Sequence, residues 1–236
     1  MRFIKKLIGF TLLVLCLGAL FVGGRLVGQG YRFYKQVTEE TPLTQKVQEI
    51  RSKPHFTTLE ELPQTYLNAV IAVEDARFYK HGGIDLISMG RAVLTNLKEQ
   101  ELAEGGSSIT QQLAKNMYFT QEKKFVRKVA ELFVAFDLEK EYTKDEILEL
   151  YLNTIYFGNG YYCVYDAAEG YFGKEPSLMT DYESTLLAGI PNAPSVYALT
   201  NRPELAAQRQ ETVLECMVEQ HYLTQEQADS ILQEGA

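Results

Sequence analysis

Two stretches of this chain concentrate side chains that can do chemistry. Residues 74–82 hold adjacent carboxylates, Glu74 and Asp75, followed by Arg77, Phe78 and His81. Residues 105–116 open on two glycines. They continue with the hydroxyls of Ser107, Ser108 and Thr110, the amides of Gln111, Gln112 and Asn116, and the ammonium of Lys115. A carboxylate can move a proton or stabilise a sugar cation. Glycines let a ligand approach the backbone, and a helix N-terminus behind them favours an anion. No Gly-Lys-Ser/Thr follows these glycines, so the second stretch is not a nucleotide-binding Walker A loop. Together the stretches predict chemistry on a sugar that carries phosphate.

Taken one by one, the same residues have plainer uses. A Glu-Asp pair also ends solvated helices, a histidine before Gly82-Gly83 suits a turn, and the second stretch would serve as a Ser/Thr-capped helix with a polar face. A third cluster, Arg127, Lys128 and Glu131, puts a cation and a carboxylate at i and i+4. On a surface that pair contributes only a few tenths of a kcal/mol, on the order of 0.3.

The elements that must hold these residues read as helices. Tyr66, Val70 and Val73 give residues 63–73 an apolar face, so Glu74 ends a packed helix. Val129, Leu132, Phe133 and Phe136 repeat at i, i+3, i+4 and i+7, predicting a core-facing stripe with Arg127, Lys128 and Glu131 opposite it. Ile147, Leu148, Tyr151 and Leu152 do the same in the next helix, where Lys144, Glu149, Tyr151 and Asn153 are expected to shape a cleft. Gln111 and Lys115, four apart, are expected to share a face. Thr58, Thr143, Thr180 and Thr224 each stand three residues before Glu or Gln, the signature of a capping box.

Prolines in 189–194 should break the helix begun near Thr180. Closing helices are expected over 203–219 and 225–232. Residues 155–165 offer the only plausible hairpin, and 102–108 read as a mobile loop. The prediction is a mainly α domain.

Residues 7–24 form an uncharged apolar run that spans ~27 Å as a helix, close to a hydrocarbon core. Arg2, Lys5 and Lys6 before it predict a cytoplasmic N-terminus. The expected organisation is a cytoplasmic tail over 1–6, a transmembrane helix over 7–27, a tether over 28–54 and a catalytic domain over 55–236. A cleaved signal peptide fits less well, because the run is long and no small-x-small site follows it. Cys16 lacks the small preceding residues of a lipidated cysteine. Net charge is -8, with no basic-aromatic face, so nucleic acid is not an expected partner. Three cysteines at 16, 163 and 216 make no disulfide framework, and three scattered histidines make no zinc site.

In this order, residues 74–82, 105–116, 127–139 and 144–153 resemble the peptidoglycan glycosyltransferase family, the lipid II polymerases. The same domain occurs as the transglycosylase part of class A penicillin-binding proteins. Arg209-Gln210 is a weaker echo, since the family commonly has paired arginines there, and Ser108 stands where it usually has threonine. The resemblance covers residues 58–217 and implies a lysozyme-like fold. Glu74 would be the general base and Glu131 the second key carboxylate. Asp75, Phe78, His81, Gly106, Ser107, Ser108, Thr110, Gln111, Gln112, Lys115, Asn116, Lys123, Arg127 and Lys128 would bind substrate, with Lys115, Arg127 and Lys128 at the diphosphate.

The implied reaction is inverting transfer from a glycan chain on undecaprenyl diphosphate to lipid II, at the outer face of a bacterial membrane. Other cell-wall synthesis or division proteins are the implied protein partners. No essential cofactor is expected, with Glu131 a candidate ligand for a divalent cation, magnesium or manganese, at the diphosphate. The chain leaves no room for a transpeptidase domain after residue 236, which suggests the monofunctional form. A hydrolase acting on finished glycan and a silent membrane scaffold are the rival readings. The first gives the cations no purpose, and the second gives Glu74 none.

Overall fold

The computed structural model describes residues 2–99, 106–119 and 124–235, and every regular element among them is helical. Helix α1 (Arg2–Glu40) carries exposed apolar side chains, among them Phe10, Leu13, Leu20, Phe21 and Val27. Its stretch Leu13–Glu40 is long and apolar enough to cross a membrane.

The expected tether is not one. α1 runs on to Glu40 and packs along α6 (Lys124–Glu141), and α2 (Leu43–Arg51) buries Leu43, Val47 and Ile50 in the core. A Cβ at Gly30 would lie 2.4 Å from Val129 Cγ1, so glycine is what lets the two helices meet. The rings of Tyr31 and Tyr34 stand 5.2 and 5.4 Å from that of Phe133, and the Tyr34 hydroxyl donates to Asp137. Gly30, Phe33, Tyr34 and Val37 fall at i, i+3, i+4 and i+7, a helical stripe whose partner lies about a hundred residues away. The folded unit therefore begins well before residue 55.

That docking also reverses the expected faces of α6. Its buried side holds Ala130, Glu131, Val134, Ala135 and Leu138, all within 1% of full burial. The bulkier Val129 and Phe133 meet α1 instead, and Phe136 is 47% exposed. Small residues line the core side because α5 (Ile109–Tyr118) packs there.

α3 (Gln64–Glu74) is central. It packs on α9 (Asp181–Gly189) and α11 (Pro203–Glu219), and it buries Tyr66, Leu67, Val70 and Ile71. Each such large aliphatic side chain stabilises the fold by about 2 kcal/mol. α5 also contacts α7 (Lys144–Leu152), whose Leu148, Tyr151 and Leu152 are buried. α4 (Leu86–Glu99), α8 (Val164–Phe172), α10 (Pro194–Tyr197) and α12 (Gln225–Glu234) complete the set.

All four predicted capping boxes form, and a fifth joins Ser108 to Gln111. α9 gives way at Gly189 to a 3-10 turn over Ile190–Asn192, the break that Pro191 dictates. The two closing helices form where expected.

The hairpin does not form. Gly158, Asn159 and Gly160 have φ of 85°, 52° and 86°, and three successive left-handed residues coil the chain into a turn rather than extend it into paired strands. Phe157 N–H donates to the Tyr161 carbonyl across that turn at 2.9 Å. Cys163 and Cys216 are free thiols. The loop expected to be mobile lies mostly outside the described residues.

Candidate active site

α3 delivers Glu74 as its last residue, and Asp75 ends the helix by leaving helical geometry, at φ -158° and ψ 73°. The Glu74 side chain is half-buried, and Gln112 Nε2 donates to its Oε2 at 2.7 Å. Its other oxygen, Oε1, is buried without a hydrogen-bond partner. Burial pushes the Glu74 carboxyl up from the ordinary glutamate range, and neighbouring Asp75 adds to this. The Gln112 hydrogen bond and the positive field of Arg209 offset part of the rise. A carboxylate raised in this way is a stronger base.

Asp75 has a different task. It is buried, accepts from His81 Nε2 at 2.9 Å, and accepts from the backbone N–H of Ile109 at 3.1 Å. It thereby fastens the start of α5 to the end of α3. The anion expected at this helix N-terminus is thus already present in the protein, and it is Asp75 itself. The Ser108 hydroxyl accepts from Gln111 N–H and donates to the Gly83 carbonyl, and the Ser108 N–H donates to Gln111 Oε1 at 3.0 Å. Thr110 donates to Glu139. Phe78 is fully buried under the turn that follows. Asp75, Phe78, His81, Ser108, Thr110 and Gln111 therefore build the wall of the site.

Gln111 and Lys115 fall on one side of α5, as their spacing requires, but differ in burial. Gln111 is 1% exposed and folds back on its own cap, whereas Lys115 and Asn116 are exposed. Gln112, one residue on, is the amide turned towards Glu74. Gly106 packs against α4, where a Cβ would lie 3.5 Å from Met89 Cα. Lys123 lies outside the described residues, as does Gly105.

α6 supplies the cations. Glu131, 1% exposed, is ion-paired with Arg127, Nε to Oε1 at 2.9 Å, and with Lys128, Nζ to Oε2 at 3.0 Å. Lys128 Nζ also donates to Ser107 Oγ at 2.8 Å, tying α6 to the entry of α5. Glu131 is thus a buried anchor for two basic side chains, where a surface pair was the plainer expectation. Both its oxygens already face cations, so a divalent metal does not fit there. Asp75, His81 and Asp85 also come within 4.8 Å of one another. Both carboxylates are already engaged: Asp75 with His81 and the Ile109 N–H, and Asp85 with Arg77 Nε at 2.9 Å and the Ser88 hydroxyl at 2.7 Å. A guanidinium on one member disfavours a cation among the three.

Two residues join the site beyond those expected from sequence. Arg209, from the weak fifth motif, passes directly over Gly189, where a Cβ would lie 2.9 Å from its Cγ, and its charge is felt at Glu74. Tyr151, expected to be structural, donates to Gln112 Oε1 at 3.3 Å. Arg209's neighbour Gln210 is fully buried and donates to the Tyr182 carbonyl and Thr185 Oγ1, both at 2.9 Å, so the second arginine of the family's pair is replaced by a core hydrogen bond. Lys144 is a peg, 2.7 Å from Glu139 and 4.4 Å above the Phe78 ring.

A half-buried carboxylate with one unpartnered oxygen and two cations ion-paired to a buried glutamate, all on helices, is a set of groups suited to a glycan-processing enzyme. The Transglycosylase family model matches residues 39–218, and the chain belongs to that family. Penicillin-binding protein 1F of Bacillus subtilis is 45% identical over 171 residues, covering 72% of this chain and 24% of that protein. A Cupriavidus necator protein named as a transglycosylase is 42% identical over 184 residues, 78% of this chain and 79% of its own length. Penicillin-binding protein 1A of Vibrio cholerae is 38% identical over 248 residues, 98% of this chain and 29% of that protein. The chain thus spans only about a quarter of the length of the penicillin-binding proteins it matches.

Proposed function

We propose that this chain polymerises lipid II into β-1,4-linked glycan strands during bacterial cell-wall synthesis. The observation that carries the reading is Glu74, raised in pKa, with one oxygen held by Gln112 and the other without a partner. Glu74 takes the proton of the acceptor 4-hydroxyl of N-acetylglucosamine as that O–H bond breaks. The freed electron pair forms the new bond to C1 of the donor N-acetylmuramic acid. The C1–oxygen bond to the diphosphate breaks on the opposite face, and its electron pair leaves with the lipid diphosphate. Configuration at C1 inverts from α to β.

Charge gathers on the departing oxygen, and Arg127, Lys128 and Lys115 are the side chains that meet it. Cations already fixed by a buried carboxylate need little reorganisation as the charge develops. The chemistry needs no resident cofactor, and a divalent ion would travel with the diphosphate instead of being held by Glu131. The same reading puts the N-terminus in the cytoplasm and the folded unit outside, where the sugar portion of lipid II is found. Division proteins and other cell-wall synthases would be within reach there.

The test is incubation of the purified chain with labelled lipid II. Polymer of increasing length is expected. Release of fragments from finished cell wall without polymer formation would instead establish a hydrolase.

A further inference from the structure

We infer that Tyr151 is a positioning residue that fixes the Gln112 amide, so that Gln112 holds Oε2 of Glu74 and leaves Oε1 as the oxygen that takes the acceptor's proton. The inference rests on the general-base role of Glu74 given above. It comes from the donors and acceptors of three side chains on three helices. Glu74 ends α3, Gln112 lies on α5, and Tyr151 lies on α7. An ionised carboxylate only accepts, an amide has one donating and one accepting end, and a phenol can do either. With Gln112 Nε2 at 2.7 Å from Glu74 Oε2, the amide oxygen must face away, and it meets the Tyr151 hydroxyl at 3.3 Å. One arrangement satisfies all three groups: phenol to amide oxygen, then amide N–H to carboxylate.

Tyr151 is fully buried and its phenol is pushed well above its ordinary range by that burial, so it remains a donor throughout the working pH. Without it, the amide is free to turn its oxygen towards Glu74, which an ionised carboxylate repels. Oε2 is occupied by the amide and Oε1 has no hydrogen-bond partner, so Oε1 is the carboxylate oxygen with its acceptor capacity free. The other ionisable groups around Glu74 are Asp75 beside it, Tyr66 on its own helix and Arg209 from α11. None of these changes when the amide is released.

Two variants test the chain, Tyr151→Phe and Gln112→Leu, together with the double variant. The first readout needs no substrate: infrared titration of the Glu74 carboxyl in the full-length chain, with Glu74→Gln as the subtraction reference. Both single variants should move the titration to higher pH, because each removes a donor that favours the ionised form. The double variant should move it no further than Gln112→Leu alone. The second readout is the pH dependence of lipid II polymerisation. Its acid limb should shift upward in the same variants, with kcat at pH 6 falling about fivefold in Tyr151→Phe, the factor of one neutral hydrogen bond, and KM nearly unchanged. A Glu74 titration that stays put in Tyr151→Phe and Gln112→Leu overturns the inference, as does a loss of rate equal at every pH. If Tyr151→Phe fails to fold, the half-buried Gln112→Leu alone decides between these outcomes. A wild type that titrates as described but makes no polymer overturns the polymerase reading and leaves the positioning of Glu74 intact.

Discussion

Arg127 and Lys128 reach Glu131 from successive positions on one helix, and the burial of that carboxylate fixes where both cations stand. Contacts that strengthen as charge develops raise the chemical rate more than they raise affinity. Arg127→Ala and Lys128→Ala are therefore expected to lower turnover on lipid II more than they weaken its binding. Lys144→Ala is the comparison, since Lys144 is committed to Glu139 and the face of Phe78. Equal damage to turnover from all three, with folding intact, would contradict this division.

Asp85 is held by several donors at the start of α4. Burial raises its carboxyl, but the Ser88 hydroxyl, the N–H groups of Ser88 and Ile87, and Arg77 outweigh it, holding the group down to about 2 from an ordinary 3.8. Asp85→Ala should cost on the order of 1 kcal/mol at neutral pH, as loss of a helix cap does. The native carboxyl is depressed, so its contribution is complete above the ordinary value and is lost as pH falls through the folded one. Denaturation of the two proteins should therefore converge between about pH 4 and pH 2, and a gap that is constant with pH would contradict the assignment. The place of Glu74 at the end of a packed helix was legible in the sequence, because the apolar spacing of Tyr66, Val70 and Val73 is local. Arg209 was not, since it lies 135 positions further along the chain and only the crossing of α3, α9 and α11 brings it near.

Gly30 decides how α1 meets α6. Gly30→Leu would force a side chain into Val129, where even a Cβ comes within 2.4 Å. Overpacking of this kind costs ~1–3 kcal/mol, so thermal unfolding in detergent should occur at lower temperature, and protease should reach residues 28–40 sooner. An unchanged melt and digestion pattern would show that α1 does not dock there. Element starts and stops were readable in the sequence because caps and prolines act locally. The capping boxes at Thr58, Thr143, Thr180 and Thr224 all formed, and α9 ended at Gly189. Faces were harder. α6 is apolar on two sides, and bulk alone points to Phe133 and Phe136, whereas the core takes Ala130 and Ala135 because another helix packs close. Choosing between two apolar faces needs the partner helix, and the partner was in the segment taken for a tether.

In the whole molecule, one continuous helix, α1, carries both the apolar stretch and the segment that packs on α6. The full-length protein is expected to sediment with membranes, and a reporter fused after residue 236 should be active only outside the cytoplasm. Reporter activity inside would reverse the topology and remove the lipid-linked sugar from reach. If Glu74 takes the acceptor's proton during lipid II polymerisation, removing its basicity alone should stop the reaction. Initial rates of polymer formation by the wild type and Glu74→Gln are measured on the same labelled lipid II, with thermal melts alongside. Glutamine preserves the shape but cannot accept the proton, so the rate should fall by at least about a hundredfold, within the range for a lost general base, while the melt is nearly unchanged. A variant that polymerises within a few-fold of the wild type would contradict the account and assign the proton to another group.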